Sequence, residues 1–323
     1  MSEFVVLDVG HGNSTIVRDN DTVAVVDAPI KTLLLDTLMD MEIDRVHCAF
    51  VSHADSDHLA GVLALLTSER VHLDHLYLNT DAPRRTKIWS DFLAAAEVAV
   101  KQRGCTIHAA LNATDPGQVS IGEVTIDVVA PSAVFAARGV GGKTADERSI
   151  TANSLSAVLK VSENGDAGTL LAGDLDEIGL ESAMADGADL RANVLVFPHH
   201  GGSPGADPKS FAARLLSEVK PRSVIFSNGR NKHDNPKQEI VGATVEAGCS
   251  VFCTQLANRC CSKSLDFGRE DLESLRSLGR DRGVCCAGSM TIDLAGGASR
   301  HDNHAERHSQ FVADHVPSPM CRP

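Results

Sequence analysis

The sequence predicts an α/β protein built from one mixed β-sheet, or from two sheets with helices on the outside. Three short β-prone segments separated by tight turns open the chain between residues 4 and 28, which is typical of antiparallel hairpins. Strand and helix patterns then alternate from residue 46 to residue 253, which indicates parallel strands with helices outside the sheets. The chain has 323 residues, of which 43% are hydrophobic, so it can bury a sizeable core.

Each element is predicted from its apolar period, 2 for strands and 3.6 for helices. The predicted strands are Phe4–Asp8, Ser14–Val17, Thr22–Val26, Val46–Val51, Leu73–Leu78, Val124–Val129, Leu155–Val161, Thr169–Leu171, Val194–Phe197, Ser223–Phe226 and Val251–Cys253. The predicted helices are Ile30–Met41, Asp57–Leu66, Ile88–Arg103, Ile178–Met184, Phe211–Val219 and Glu239–Ala247. The charged segment 264–283 is also predicted to be helical, and residues 296–323 are predicted to be a polar tail.

The acidic balance of the chain restricts its partners. Lys and Arg number 30 against 43 Asp and Glu, and the net charge is −13. Non-specific duplex binding usually rests on a basic patch that displaces counterions. Aromatic residues are only 4%, so few are available to stack on single-stranded nucleic acid.

The cysteines and the N-terminus predict a cytoplasmic protein that does not enter the membrane. No apolar run approaches the roughly 20 residues that span a bilayer, and the N-terminus lacks the basic region of a signal peptide. The nine cysteines are therefore expected to be thiols or metal ligands. Seven of them lie at or beyond Cys249. We expect a hydrolase domain over residues 1–255 and a Cys/His-rich extension over 256–323 that packs on it.

The segment Ser52–His58 carries the strongest chemical signal. It follows an apolar strand and precedes a predicted helix, and it reads Ser-His-Ala-Asp-Ser-Asp-His. Four potential metal ligands fall within six residues: His53, Asp55, Asp57 and His58. Imidazole together with carboxylate favours Zn, Mn or Fe over a metal that needs thiolates. The alternative is a polar capping loop with Asp57 as the helix N-cap.

Two further strand ends carry potential ligands, Asp174 and the pair His199 and His200. A carboxylate at a strand end can bridge two cations about 3.5–4 Å apart. Such cations lower the pKa of a shared water, so that hydroxide forms at pH 7. The alternatives are a helix cap for Asp174 and a buried hydrogen-bonded pair for the two histidines.

The pattern His-x-Asp-x-Asp-His after a strand resembles the signature loop of the metallo-β-lactamase superfamily. Asp55, at the third position, is similar to the branch typified by the hydrolase domain of ComEC, the competence DNA-channel protein, and by phosphorylcholine esterases. The chain's Asp-Val-Gly-His-Gly-Asn from residue 8 is similar to that branch's opening Asp-Val-Gly-Gln-Gly-Asp. Three more segments agree, in the same order along the chain: Asn153–Ser156, Leu171–Asp174 and Pro198–Ser203.

This resemblance implies an αββα sandwich with one or two divalent ions, Zn or Mn, at the strand ends. It implies that His53 and Asp55 hold one ion, that Asp57 and His58 hold the second, and that Asp174 bridges them. Either His199 or His200 completes the set of ligands around the second ion. The other histidine orients a ligand or donates a proton.

Catalysis is predicted to depend on Asp57, Asn153 and His233. Asn153 stands where many superfamily members carry a further His ligand. A site that holds a single ion is therefore the alternative interpretation. The ComEC-type branch carries Asn-x-x-x-His-Pro after the strand Ser223–Phe226, with a His that acts on the substrate. Here Asn235 precedes the proline and His233 lies two residues earlier. Either His233 takes that role from a shifted position or the role is lost.

The loop around His233 is also the candidate substrate-binding segment. Arg230 and Lys232 are predicted to hold a phosphate, together with Asn235. The alternative is a polar loop that caps the following helix.

The C-terminal cysteines predict a possible structural zinc, which needs four N or S ligands. The leading ligands are Cys260 or Cys261, Cys285 or Cys286, and Cys321. Their spacing forms no C-x-x-C pair, and the alternative is a set of small buried hydrophobes.

These features predict a metal-dependent hydrolase, foremost a phosphodiesterase or nuclease that uses a metal-bound hydroxide. The negative charge favours a small phosphodiester, or nucleic acid delivered by a partner protein; a homo-oligomer is also open. The alternatives are another hydrolase of the fold, such as a lactonase, thioesterase or β-lactamase, and a non-catalytic metal-binding subunit of a larger assembly.

Overall fold

A computed structural model describes residues 2–29, 32–79, 86–166, 168–230, 232–265, 269–294 and 301–322. The strands are β1 (Ser2–Val6), β2 (Thr15–Asp19), β3 (Thr22–Val26), β4 (Arg45–Val51), β5 (His72–Leu78), β6 (Thr106–His108), β7 (Gln118–Ile121), β8 (Val124–Ala130), β9 (Val158–Glu163), β10 (Thr169–Leu171), β11 (Val194–Val196), β12 (Ser223–Phe226), β13 (Ser250–Cys253) and β14 (Met290–Asp293). The helices are α1 (Leu33–Asp40), α2 (Ser56–Thr67), α3 (Lys87–Arg103), α4 (Ala133–Arg138), α5 (Glu177–Ala185), α6 (Pro208–Val219), α7 (Gln238–Glu246) and α8 (His301–His315). The predicted start of the first helix at Ile30 lies outside the described residues.

The strands form two seven-stranded sheets, in the orders β14-β1-β2-β3-β4-β5-β6 and β13-β12-β11-β10-β9-β8-β7. A loop over residues 7–14 joins β1 to β2 and a tight turn joins β2 to β3, and both pairs of strands are antiparallel. Longer crossovers that include helices make β4 and β5 parallel, and they likewise make β10, β11 and β12 parallel. The carboxyl ends of the parallel strands therefore meet at one edge of each sheet.

Apolar side chains form three layers of core. Phe4 and Phe50 of the first sheet pack against Ile225 and Phe252 of the second. On the outer face of the first sheet lies a core that includes Phe92 of α3. The outer face of the second sheet is covered by α5, α6 and α7, whose contributions include Leu180, Phe211 and Ile240. The predicted αββα sandwich is confirmed.

Two predictions for the C-terminal region are wrong. The described part of segment 264–283 forms turns and bends with no helix, whereas the tail contains α8. Tertiary hydrogen bonds replace helical ones in this segment: Asp8, which is fully buried, accepts hydrogen bonds from Ser277 Oγ at 2.5 Å and from Gly279 N at 2.8 Å. Likewise the Arg269 guanidinium donates to the carbonyl of Cys286 at 2.7 Å.

Residues after 255 are joined closely to the N-terminal part of the chain. Strand β14 pairs antiparallel with β1. Gln255 donates from Nε2 to Asp8 Oδ1 at 2.7 Å, and Asp8 stands at the start of the loop that runs to residue 13. The domain boundary at residue 255 stays a prediction. No helix in the described part of the chain is both long and apolar enough to cross a bilayer.

His308 is a buried titratable group on α8, far along the chain from the candidate ligands. Its exposed fraction is 4%, and its ring lies 5.3 Å from that of Phe252. Burial, with further contributions from His304 and Arg269, lowers the pKa of His308 from 6.5 to about 3. Between these two pH values the unfolded chain binds a proton that the folded chain does not. Stability contributed by neutral His308 is therefore present above pH 6.5 and is lost as the pH falls.

We expect the His308→Gln variant to depend less on pH than the parent protein. Between pH 7 and pH 5 the parent should lose about 2 kcal/mol more of its free energy of unfolding, because only its unfolded state gains the His308 proton. Urea unfolding at both pH values, in the presence of a chelator, measures this difference. His315→Gln, an exposed histidine on the same helix, is the matched control and should follow the parent. Equal pH dependence in the parent and in His308→Gln would contradict the prediction.

Candidate metal centre

The segment between β4 and α2 brings polar side chains to the end of the first sheet. Helix α2 begins at Ser56, and the side chain of Asp55, at its N-cap position, makes no capping hydrogen bond. Asp57 lies within the first turn of the helix. The capping alternative for Asp57 is therefore not what the structure shows.

His53, His58 and Asp174 form the first group of potential ligands, and all three are buried. The Nε2 atom of His58 lies 3.4 Å from Oδ1 of Asp174, and Nε2 of His53 lies 3.7 Å from Oδ2 of Asp174. Asp55 lies next to this group, and its Oδ2 atom is 3.5 Å from Nε2 of His53. The structure thus groups His58 with His53, which differs from its implied partnership with Asp57.

His11, Asp57 and His200 form the second group. Oδ2 of Asp57 lies 3.5 Å from Nε2 of His11 and 3.6 Å from Nε2 of His200. The same His200 nitrogen lies 3.7 Å from Oδ1 of Asp174. The carboxylate of Asp174 therefore lies between the two groups, within 3.4 to 3.7 Å of nitrogen atoms from both. Helix α5 is capped by the side chain of Asp176, so Asp174 is not needed as its cap.

The ligand atoms of both groups fit divalent ions. Within the described residues, no hydrogen bond reaches Nε2 of His53, His58 or His200, or Oδ1 of Asp174, although all four atoms are buried. Buried polar atoms without partners are costly and rare. The contacts of 3.4 to 3.7 Å among them match the roughly 3.4 Å that separates two ligands bonded at about 2.1 Å to a tetrahedral zinc ion.

Hydrogen bonds behind the ligands orient the imidazole rings. His200 donates from Nδ1 to the carbonyl of Ser227 at 3.0 Å, which fixes the orientation of its ring. His58 places Nδ1 2.7 Å from Oδ2 of Asp27, a carboxylate that also accepts from the backbone and hydroxyl of Ser52, each at 2.7 Å. The hydroxyl of Ser156 lies 3.4 Å from Nδ1 of His53. Asp27 and the serines were not predicted, because a side chain that orients a ligand has no spacing rule.

The two adjacent histidines differ in role. Both hold left-handed backbone conformations, with φ of 55° at each, which costs non-glycine residues about 1–2 kcal/mol each. Such strain concentrates at functional sites. His200 joins the second group, whereas His199 donates from Nδ1 to Oδ2 of Asp174 at 2.9 Å and is 34% exposed. The structure thus distinguishes two residues that the sequence left open.

The charges of the first group are strongly coupled. Burial disfavours the charged form of His58, but the carboxylates of Asp27 and Asp174 outweigh burial and raise the pKa of His58 well above 6.5. Burial also opposes ionisation of Asp174, yet His58 and His200 hold the pKa of Asp174 well below 3.8. In the same way the pKa of Asp57 is lowered despite its burial. Both carboxylates are therefore ionised at neutral pH, as metal ligands must be.

His11 is the member of the two groups that sequence reasoning missed. It lies on the loop after β1, in the motif where the ComEC-type branch carries Gln. Burial, followed by the nearby His200, lowers the pKa of His11 from 6.5 to about 4, so the ring is neutral at pH 7. The loop approaches its surroundings so closely that a Cβ on Gly12 would lie 2.4 Å from Pro29, and one on Gly229 would lie 2.4 Å from the backbone nitrogen of His11. The signal in the sequence that could have identified His11 was its position between two glycines.

A cavity of about 440 Å³ opens beside both groups. Besides ligand candidates, its walls include His233, Asn235, Ser203 and Lys237. The His233 ring lies 4.9 Å from that of His11. Lys237 supplies the only Lys or Arg side chain among the described residues of this wall, and its Nζ donates to the His233 carbonyl at 2.7 Å.

Three other predicted residues do not line this cavity. The Arg230 guanidinium instead bonds to the side chain of Asn258 and to the carbonyls of Cys261 and Lys263, so it braces a loop. Lys232 is exposed, and Asn153 lies in a short 3-10 turn. Lys237, which follows them along the chain, is the basic residue that the structure places in the described wall of the cavity.

The C-terminal thiols are not assembled for zinc. Among the described residues, no three Cys or His side chains of this region bring their ligand atoms within 4.8 Å of one another. Cys285 turns towards Ser277, at 2.9 Å, whereas Cys286 approaches His308 at 3.3 Å. Cys261 has its Sγ 3.3 Å from the carbonyl of Lys263. The remaining predicted ligands, Cys260 and Cys321, line a small apolar cavity with Cys286.

These buried thiols pack as small hydrophobic side chains, because burial keeps them uncharged. Burial raises the pKa of Cys260, Cys286 and Cys321 above 9.0, so that all three stay protonated. The structural-zinc prediction is thus not supported by the arrangement of its proposed ligands.

An αββα sandwich with His/Asp groups at its strand ends defines a metallo-hydrolase architecture. The model of the metallo-beta-lactamase superfamily matches residues 7–192, more than half of the chain. The chain belongs to that superfamily and has the architecture of its metallo-hydrolases.

ComE operon protein 3 of Bacillus subtilis (strain 168) is 24% identical over 212 residues. The match covers 65% of this chain and 23% of that protein, so the chain spans about a quarter of the relative's length.

Solved structures of similar fold include YhfI, a metallo-beta-lactamase fold protein from Bacillus subtilis, with 14% identity and a TM-score of 0.47 over 78% of this chain and 96% of that one. Igni18, a metallo hydrolase from Ignicoccus hospitalis KIN4/I, has 14% identity and a TM-score of 0.45 over 78% of this chain and 94% of that one. Similarity at this level does not bear on the substrate.

Proposed function

We propose that this chain is a metal-dependent phosphodiesterase of the ComEC-type branch that acts on a small phosphodiester. The observation that supports this most is the approach of Asp174, a member of the first group, to within 3.7 Å of His200 in the second group, beside a cavity with one lysine in its described wall. Divalent ions held by the two groups would suit displacement at phosphorus, because both the attacking and the leaving oxygen need charge stabilisation. The resemblance of the His53 loop and the 24% identical relative support the branch.

The two groups would each hold one divalent ion, Zn or Mn. His53, His58 and Asp174, with Asp55 at the border, would hold the first, and the second group would hold the other. When bound, such ions lower the pKa of a water molecule and neutralise the charge of a phosphate.

The chain's own residues orient the substrate. Lys237 is placed to hold a phosphate oxygen in the cavity, as a point charge. His233, exposed and beside His11, is placed to donate a proton to the leaving alcohol. The hydrogen bond from His199 holds the Asp174 carboxylate in place between the two groups.

An assay panel tests this proposal. Protein loaded with Mn²⁺ or Zn²⁺ should turn over bis(p-nitrophenyl) phosphate faster than p-nitrophenyl acetate or single-stranded DNA. Lys237→Gln should raise KM for the diester about tenfold without loss of metal, because a charged hydrogen bond to phosphate is lost. Lys232→Gln, a matched change on the same loop but outside the cavity, should leave KM unchanged.

Other outcomes would point to other functions. Turnover of the carboxylic ester alone would indicate a lactonase or thioesterase. Full metal occupancy with no turnover of any substrate would indicate a metal-binding subunit and would overturn the proposal.

A further inference from the structure

A second cavity, which we call the apolar groove, adjoins the metal centre. It has a volume of about 500 Å³, and it shares His11 and Asp57 with the polar cavity that contains Lys237. The other main walls are apolar side chains from the loop after β3, from α2 and from the start of α3: Pro29, Ala60, Leu63, Ala64 and Ile88. Apart from Pro29, these apolar residues are partly exposed, so their surface is accessible to a ligand.

We propose that the apolar groove binds a bulky, uncharged apolar group of the ester, which makes the substrate a phosphodiester of an aromatic or similarly apolar alcohol. This inference rests on the proposed phosphodiesterase function. A phosphate beside Asp57 and His11 lies where the two cavities meet. Lys237 attracts the charged oxygens of this phosphate towards the polar cavity. The apolar group of the ester then lies in the apolar groove.

The described walls of the groove are mostly apolar, with Asp57 as their one charged residue. A volume of about 500 Å³ is within the range of small-molecule sites, which are mostly apolar with a few polar groups.

The groove can be tested by binding, without turnover. Isothermal titration calorimetry of the Zn²⁺-loaded protein should show that phenylphosphonate binds about tenfold to a hundredfold more tightly than methylphosphonate, because the ring leaves water. Ala64→Trp should fill the groove and remove that preference while leaving the affinity for methylphosphonate intact. Ala94→Trp, the same change on an exposed position of α3, should keep the preference.

A second variant covers the case in which Ala64→Trp does not fold. Leu63→Ser removes apolar surface from the wall without filling the groove. It should reduce the preference for the phenyl ring at least about threefold. An unchanged preference in either folded variant, equal affinity of the parent for the two phosphonates, or no binding of either would overturn the inference. A retained phenyl preference in a protein that hydrolyses no diester would instead overturn the proposed function and the phosphodiester substrate, and it would keep only the binding of an apolar group in the groove.

Discussion

Asp174→Asn is expected to abolish hydrolysis and to empty the metal centre. The carboxylate of Asp174 approaches both ligand groups, at 3.4 Å from His58 and 3.7 Å from His200. Asparagine keeps the shape, but it removes the negative charge and replaces one ligand oxygen by an amide nitrogen that cannot bind a cation. Metal ions contribute several kcal/mol to charge stabilisation in hydrolysis. We therefore expect turnover to fall on the order of a thousandfold or more.

Metal content distinguishes this effect from misfolding. Elemental analysis after dialysis should show fewer than half of the parent's metal equivalents in Asp174→Asn, with an unchanged circular dichroism spectrum. Asp186→Asn is the matched control, since Asp186 is exposed at the end of α5, the helix that follows Asp174. Full metal content together with parental activity in Asp174→Asn would contradict the two-group centre.

His11→Gln is expected to remove the second ion while the first remains. Glutamine is the residue that the resembling branch carries in this motif, so the loop should tolerate it. His11 contributes one of three ligands to the second group, whereas the first group does not depend on it. The bound metal should fall from two equivalents to one, and turnover should fall on the order of a hundredfold.

Two companion variants test the assignment of His11. Asp57→Asn should cause the same loss of one equivalent, because it removes another ligand of the same group. His233→Gln should retain both equivalents whatever its effect on turnover, since His233 is a neighbour of His11 that belongs to neither group. Two tightly bound equivalents in His11→Gln would remove His11 from the centre.

Local patterns were sufficient for most of the fold. The apolar face of α3, with Phe92 and Ala95, identified that helix almost to its ends, and β12 was predicted with its observed bounds. Short or polar elements such as β6, β7 and α8 were missed, because their partners rather than their composition stabilise them. Segment 264–283 has a helical composition, but the buried Asp8 carboxylate binds its backbone and prevents a helix there.

The same division holds for the site. Because strand-to-helix loops and strand ends are local features, the sequence by itself determined that ligand-type side chains cluster at His53–His58, at Asp174 and at His199–His200. Only the tertiary structure decided which of them meet: His58 faces His53, His200 rather than His199 joins Asp57, and Lys237 lines the cavity beside both groups.

His11 shows the physical reason most clearly. It stands more than forty residues before Asp57 and nearly two hundred before His200 in the chain, so no spacing rule connects the three. Their nitrogen and oxygen atoms come within 4.8 Å because two sheets stack with their strand ends together, and because glycines at 12 and 229 let the loops touch. The sequence determines which ligand-type side chains are available, and the packing of the sheets determines which of their atoms come together.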